Sequence, residues 1–415
     1  MSLLEEKVVE MPSGTLEIRV QEQLFQHLEL DDLCDFAARN NPKRGFLVVS
    51  KVLGRHIATP TSTMHNVHQA LATLLTQEKL PGPVVFLAMA ETATCLGQGI
   101  HDYYDESRTL RCGCRHRSEV VSMFLHSTRQ MITINGETPN IITEFSEPHS
   151  HAARHIVYQP LNSCDIAMLK EARTLVLIDD ESSTGTTFRN AAEAMAQVMP
   201  SLENVTTAVI TDWSNGNDWR QGLPWKGMSL ALLNGTLKWV PREGYMSEQA
   251  QLTNTGALGS LAGERDYGRR GTVLPDHDLS SLHVDGARTA HQSRLRPYEH
   301  IARNLDETIN AKRYLIVGTG EFTYPAFQLA SALTDRGCTV HVQATTRSPV
   351  HIGGAIQHKL EFADNYGTDV PNFLYNVFPS PECQVIICHE TPDGSIDPTL
   401  INALDAIVIN FNPIV

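Results

Sequence analysis

Residues 175–187 read Leu-Val-Leu-Ile-Asp-Asp-Glu-Ser-Ser-Thr-Gly-Thr-Thr, four apolar residues, a pair of acids, and a short run of hydroxyls around one glycine. The apolar residues suit a buried central strand. In a parallel sheet the ligand sits beyond the carboxyl ends of the strands. A loop at 183–187 opening onto a helix would turn backbone N–H groups, hydroxyls and the positive helix end toward one point, which suits a phosphate monoester. Gly185 permits close approach or positive φ. Asp179 and Asp180 repel phosphate and suit neutral hydroxyls or a cation-like centre. Phosphate at one end and vicinal hydroxyls nearby describe a ribose 5-phosphate. A plain strand followed by a capped helix would leave the two acids without a use. No Gly-Lys-Ser/Thr follows the glycine, so the loop is not of the Walker type.

Other elements must hold that loop in place. Apolar, β-branched runs at 45–49, 84–90, 175–178 and 205–211 predict buried strands, with helical patterns between them at 64–77 and 187–198. Alternation of this kind predicts a parallel α/β sheet. From about 241 to 289 the chain is polar and weakly periodic, an irregular connection. Periodicity then returns: strands are predicted at 314–317, 339–344, 385–388 and 406–409, and helices at 326–335 and 400–404. The expected organisation is a unit over 1–240, the connection over 241–289, and a second α/β unit over 290–415.

The chain has 415 residues, enough for two or three domains. Its 33 Lys and Arg against 47 Asp and Glu give a net charge of −14, which argues against broad nucleic-acid binding through a basic face. Apolar runs are of strand length, so no membrane-spanning helix is expected. The first residues lack the pattern of an export signal. The eight Cys are too sparse for a disulfide scaffold, and reduced thiols in the cytoplasm are expected.

The 175–187 stretch resembles the phosphoribosyl diphosphate signature of type I phosphoribosyltransferases at Asp179, Asp180, Thr184, Gly185 and Thr187. Three further segments agree. They are Ser-Lys-Val-Leu-Gly-Arg-His at 50–56, Val-Val-Phe-Leu-Ala-Met-Ala-Glu-Thr-Ala-Thr-Cys-Leu-Gly at 84–97, and Thr346-Arg347-Ser348-Pro349. Together they resemble the orotate phosphoribosyltransferase-like group with a C-terminal TRSP domain, associated with bacterial tellurium-resistance and stress-response genes. The resemblance implies a type I phosphoribosyltransferase-like parallel sheet followed by a second, Rossmann-like α/β domain. It implies transfer of a phosphoribosyl group from 5-phosphoribosyl 1-diphosphate to a nitrogenous acceptor, with Mg²⁺ bridged by substrate and no metal site built from protein alone. Its implied alternative is a regulatory protein that binds the nucleotide without transfer. Asp179 and Asp180 would act on the ribose. Ser183, Thr184, Gly185, Thr186 and Thr187 would hold the 5-phosphate. Ala90, Glu91, Thr92 and Ala93, with Lys51 and Arg129, would meet diphosphate. The resemblance also implies a strained or cis bond at Ala90–Glu91 or Glu91–Thr92, and a homodimer among possible assemblies.

Further constellations leave alternatives open. His149 and His151, in Phe-Ser-Glu-Pro-His-Ser-His-Ala at 145–152, either belong to a cover loop that meets diphosphate or lie in a solvated loop. Cys112 and Cys114 form a Cys-x-Cys without a matching pair, so a plain loop is preferred to zinc. In the second unit, Gly318 and Gly320 follow a strand, but Thr323 stands where a dinucleotide fingerprint needs its third glycine. Gly318, Gly320, Arg347 and Ser348 are expected to form an anion site, bordered by residues 364–367 and 265–271.

Overall fold

The computed structural model of the chain describes residues 3–39, 44–112, 122–132, 137–147, 154–160, 163–243, 290–309, 311–368 and 370–411. The connection expected at 241–289 lies almost wholly outside these, as do His149, His151, Cys114 and residues 265–271.

The continuous apolar runs form the middle of two sheets. The first has seven strands. Its parallel part runs Ser229–Pro241, Asn204–Asp212, Thr174–Ser182, Val84–Ala88 and Ser122–His126. An N-terminal hairpin, Glu5–Met11 with Gly14–Gln23, joins antiparallel at the Ser229–Pro241 edge. Its residues alternate exposed and buried, as befits a strand with one wet face. The central strands are buried on both faces, by the helices Thr61–Gln77 and Thr94–Cys112 on one side and Thr186–Ala196 on the other.

The second sheet places Cys383–His389, Arg313–Gly318 and Thr339–Ala344 side by side and parallel, with Ile407–Asn410 at one edge. Thr59–Pro60, from the first half of the chain, pairs antiparallel with Thr339–Ala344 at the other edge. A second hairpin, Cys34–Ala38 with Phe46–Ser50, carries Ala37 and Val49 into one core cluster with Val350, Ile356, Phe373 and Tyr375. Side chains also cross between the halves. Tyr324 donates to Asp102, and Thr94 Oγ1 donates to Glu321 O at 3.1 Å, both buried. The two sheets therefore meet through shared backbone pairing and shared core.

Candidate active site

The strand Thr174–Ser182 runs one turn beyond its apolar core and carries Asp179, Asp180 and Glu181 to its carboxyl end. The chain then turns at Gly185, φ +71°, into the helix Thr186–Ala196. A Cβ at Gly185 would lie 2.4 Å from Trp219 Cβ, so both space and backbone require glycine there. Ser183 and Thr184 are exposed, and no protein acceptor takes the N–H of Ser183, Thr184 or Gly185 among the described residues. Thr184 Oγ1 and Thr186 Oγ1 lie 3.0 Å apart. Unspent amides at a helix N-terminus are the arrangement that binds an anion.

Asp179 and Asp180 are half-buried and have no ion-pair partner among the described residues. Thr92 Oγ1 reaches Oδ1 of both at 3.4 Å. Burial, then Asp180 and Glu147, raises the Asp179 pKa; burial, then Glu181, raises that of Asp180. Burial and mutual repulsion without a counter-charge are relieved by a cation or by hydroxyl donors, and the pair suits either. Glu181 itself is matched: Arg44 Nη2 lies 2.8 Å and 2.9 Å from its two carboxylate oxygens.

Opposite stands the turn after Val84–Ala88, where the Ala90–Glu91 peptide is cis, at one of the two bonds named from sequence. Both polar ends of Ala90 are held. Its N–H donates to Ser127 Oγ at 2.9 Å, and Ser127 Oγ meets His155 Nδ1 at 2.8 Å. Its carbonyl accepts from Arg129 Nη2 at 3.2 Å, and the same Nη2 pairs with Glu147 at 2.5 Å. His155 Nε2 reaches Glu147 at 3.4 Å and closes the ring. Burial lowers the His155 pKa to about 4, so the imidazole is neutral at pH 7. Burial alone would raise the Glu147 pKa, but the His155 hydrogen bond and the Arg129 charge bring it down to about 2.

These parts line one cavity of about 510 Å³, with Asp179, Asp180 and residues 183–187 on one wall and Ala90, Glu91 and Thr92 on another. Arg129 lines it too, but its guanidinium is committed to Glu147 and Ala90, which makes it a brace for the turn rather than a free cation. Two residues expected at the diphosphate are elsewhere. Ala93 is fully buried beneath the turn. Lys51, at the end of its hairpin strand, donates through Nζ to Asp31 O, away from the cavity.

The expected anion site of the second unit divides. Gly318 and Ala344 are paired, so their strands do end on one edge. Yet Gly318 and Gly320 do not line the cavity that holds Asp179 and Ala90. The Gly320 N–H is taken by Thr345 Oγ1 at 2.9 Å, and its carbonyl accepts from Arg55 Nη1 at 2.7 Å. Glu321 fills the turn and accepts from Thr128 Oγ1 at 2.5 Å and from the Arg129 N–H at 2.7 Å. Residues 364–367 cover it from the other side, with Tyr366 OH donating to Thr319 O at 3.2 Å. Arg347 and Ser348 instead line the same cavity as Asp179 and Ala90. Thr346 Oγ1 donates to Glu91 Oε2 at 2.9 Å and ties that segment to the first unit's turn.

Sequence reasoning passed over Arg39, Arg44 and Glu147, and it quoted Arg55 and His56 without assigning them a use. Arg55 donates to Gly320 O, Thr345 O and Glu91 O at 2.7, 2.7 and 2.5 Å. Arg39 and Arg44 flank an Asn-Asn-Pro turn signal, the one local clue to a hairpin tip beside a site.

A parallel sheet with an open amide loop at a strand end and a second loop facing it is the arrangement in which α/β proteins place a ligand. Comparison with known proteins makes the class specific. The family described as phosphoribosyl transferase matches residues 33–229, and the TRSP domain that lies C-terminal to it matches residues 285–404. The chain belongs to the phosphoribosyltransferases, pentosyl-transferring enzymes, in the group that carries a TRSP domain. No curated protein matches it. Similar solved structures include the adenine phosphoribosyltransferase of Thermoanaerobacter pseudethanolicus, at 12% identity and a TM-score of 0.30, covering 48% of this chain and 95% of that one. That of Rhodothermus marinus is 13% identical with a TM-score of 0.32, covering 49% and 96%. That of Trypanosoma brucei, solved with AMP, pyrophosphate and ribose-5-phosphate, is 12% identical with a TM-score of 0.31, covering 56% and 86%.

Proposed function

We propose that the protein transfers the phosphoribosyl group of 5-phosphoribosyl 1-diphosphate to a nitrogenous acceptor. The bond from ribose C1 to the diphosphate oxygen breaks, a bond from C1 to the acceptor nitrogen forms, and diphosphate departs with the bonding electrons. The observation that carries this reading is the shared cavity: unspent amides at 183–185, two acids with no ion-pair partner among the described residues, and a braced turn at Ala90 face one another across a space of about 510 Å³. The loop amides and Thr hydroxyls would hold the 5-phosphate. Asp179 and Asp180 would accept hydrogen bonds from the ribose hydroxyls and favour positive charge on the ring as C1 loses its leaving group. The backbone N–H groups of Glu91 and Thr92 would meet the diphosphate.

Mg²⁺ suits the two carboxylates, which have no ion-pair partner among the described residues. Among the described residues no cluster of three metal-binding side chains exists, so substrate oxygens would complete the coordination shell. When bound, the ion would offset charge building on the departing diphosphate. Free thiols at Cys34, Cys95, Cys164, Cys338, Cys383 and Cys388 favour a reducing compartment such as the cytoplasm. Among the described residues no helix is long and apolar enough to cross a membrane. A role in tellurium resistance or stress response rests on the family resemblance alone.

The test is titration calorimetry of the full chain with 5-phosphoribosyl 1-diphosphate and Mg²⁺, followed by a diphosphate-release assay across nitrogenous acceptors. Saturable binding, with release that depends on an acceptor, supports transfer. Binding without release under any acceptor would favour the regulatory alternative.

A further inference from the structure

We infer that Thr346, in the second unit, is a positioning residue for the turn at Ala90, Glu91 and Thr92. Its hydroxyl holds the Glu91 carboxylate against the second unit and keeps that charge off the diphosphate, which the amides of the turn then bind. This rests on the phosphoribosyl-transfer reading and gives the TRSP unit a part in it.

The turn offers two donors and one awkward charge. The N–H groups of Glu91 and Thr92 have no protein acceptor among the described residues, so they are open to an anion. Glu91 also carries a carboxylate, and it lines the same cavity. A carboxylate beside a diphosphate is repelled by it. The other glutamates of the cavity are each held by a cation, Glu181 by Arg44 and Glu147 by Arg129. Glu91 has no ion pair among the described residues, and a neutral hydroxyl holds it instead. Thr346 Oγ1 donates to Glu91 Oε2 at 2.9 Å. The other oxygen, Oε1, lies 3.7 Å from the place a Cβ would take at Gly320. Both carboxylate oxygens therefore lie against the second unit.

Thr346 is fixed for this task. It is 2% exposed. Its N–H donates to Phe373 O at 2.9 Å, and its carbonyl accepts from the Phe373 N–H at 2.8 Å. Its Oγ1 accepts from the Ser348 N–H at 3.2 Å, which leaves the hydroxyl hydrogen to Glu91. A donor already held in place gives up little further freedom when it makes its bond.

The backbone of the turn is gripped from the same side. Glu91 O accepts from Arg55 Nη2 at 2.5 Å, and Arg55 Nη1 donates to Gly320 O and Thr345 O, both at 2.7 Å. Arg129, which holds Ala90 O, is itself held at its N–H by Glu321 Oε1 at 2.7 Å. The frame sets the amides, and Thr346 sets the one side chain that would oppose their ligand.

The experiment titrates the full chain by calorimetry with 5-phosphoribosyl 1-diphosphate and Mg²⁺ and, separately, with ribose 5-phosphate, which carries no diphosphate. Thr346→Val removes the hydroxyl and keeps nearly the same shape. It is expected to weaken 5-phosphoribosyl 1-diphosphate about tenfold and ribose 5-phosphate less than about twofold. Thr346→Ser keeps the donor and should match wild type within about twofold. Glu91→Gln added to Thr346→Val should restore most of the lost affinity, because the released side chain is then neutral. Thr346→Ala replaces the valine variant if that fails to fold. Undiminished affinity for 5-phosphoribosyl 1-diphosphate in Thr346→Val overturns the inference. So does an equal loss for ribose 5-phosphate, or no recovery with Glu91→Gln, since the hydroxyl would then serve packing and not the placing of a charge. Failure of wild type to bind 5-phosphoribosyl 1-diphosphate at all would instead sink the transfer reading.

Discussion

The turn at 183–187 and the turn at Gly318–Glu321 look alike in sequence: each follows a buried parallel strand, carries glycine and hydroxyl residues, and opens a helix. They end differently. The first keeps three amides unspent and faces a cavity. In the second, Thr345 takes the Gly320 N–H, Arg55 takes its carbonyl, and Glu321 occupies the space an anion would need. A glycine turn at a strand end is therefore a socket whose use depends on what covers it. Here the second socket has become a joint between the two units.

The largest contrast should come from the acids of the open turn. Asp179→Asn with Asp180→Asn is expected to slow diphosphate release about a thousandfold while leaving the circular dichroism spectrum unchanged, because the side chains border the cavity and Asn can keep the 3.4 Å contacts to Thr92 Oγ1. Turnover near the wild-type rate would remove the acids from the chemistry.

The closed turn should respond in stability. Arg55→Ala strips three carbonyl acceptors of a buried charged donor and is expected to cost roughly 3 kcal/mol or more in denaturant unfolding. Arg55→Lys should recover little, since an ammonium cannot reproduce the planar fork. A cost near zero would mean the joint is held elsewhere.

The glycines compare the turns directly. Gly185→Ala combines positive φ with a Cβ 2.4 Å from Trp219, for a loss of roughly 2–4 kcal/mol. Gly320→Ala meets its nearest neighbour, Tyr366, at 3.5 Å and should lose only about 1 kcal/mol from φ +56°. Equal losses, measured by thermal unfolding, would contradict the difference in packing.

How much of this could be read from sequence follows the reach of each signal. Strand Val84–Ala88 and the first half of Thr174–Ser182 carry continuous apolar runs, buried on both faces, and stand out. The hairpin Glu5–Met11 with Gly14–Gln23 alternates charged and apolar residues and gave no comparable run. The loop at 183–187 was readable because its whole pattern lies in consecutive residues. Arg39, His56 and Arg347 reach the same cavity from distant segments of the chain, and no local pattern records it. The second turn misled for the same reason: its occupants Arg55, Thr128 and Arg129 come from the other half of the chain.

The smallest effect concerns the brace behind the turn at Ala90. Because burial lowers the His155 pKa from about 6.5 to about 4, the unfolded chain takes up that proton first as pH falls, and the fold loses stability across this window. His155→Gln should flatten the fall in melting temperature between pH 6.5 and 4. A slope unchanged from wild type would contradict a buried, neutral His155.

The central claim is that the open turn, and not the closed one, is the phosphate socket. A crystal structure of the full chain with 5-phosphoribosyl 1-diphosphate and Mg²⁺ tests it most directly. The account predicts the 5-phosphate at residues 183–187, touched by at least two backbone N–H groups, with the ribose hydroxyls on Asp179 and Asp180. A phosphate seated at Gly318–Glu321, or a ribose phosphate held elsewhere in the first unit, would contradict it.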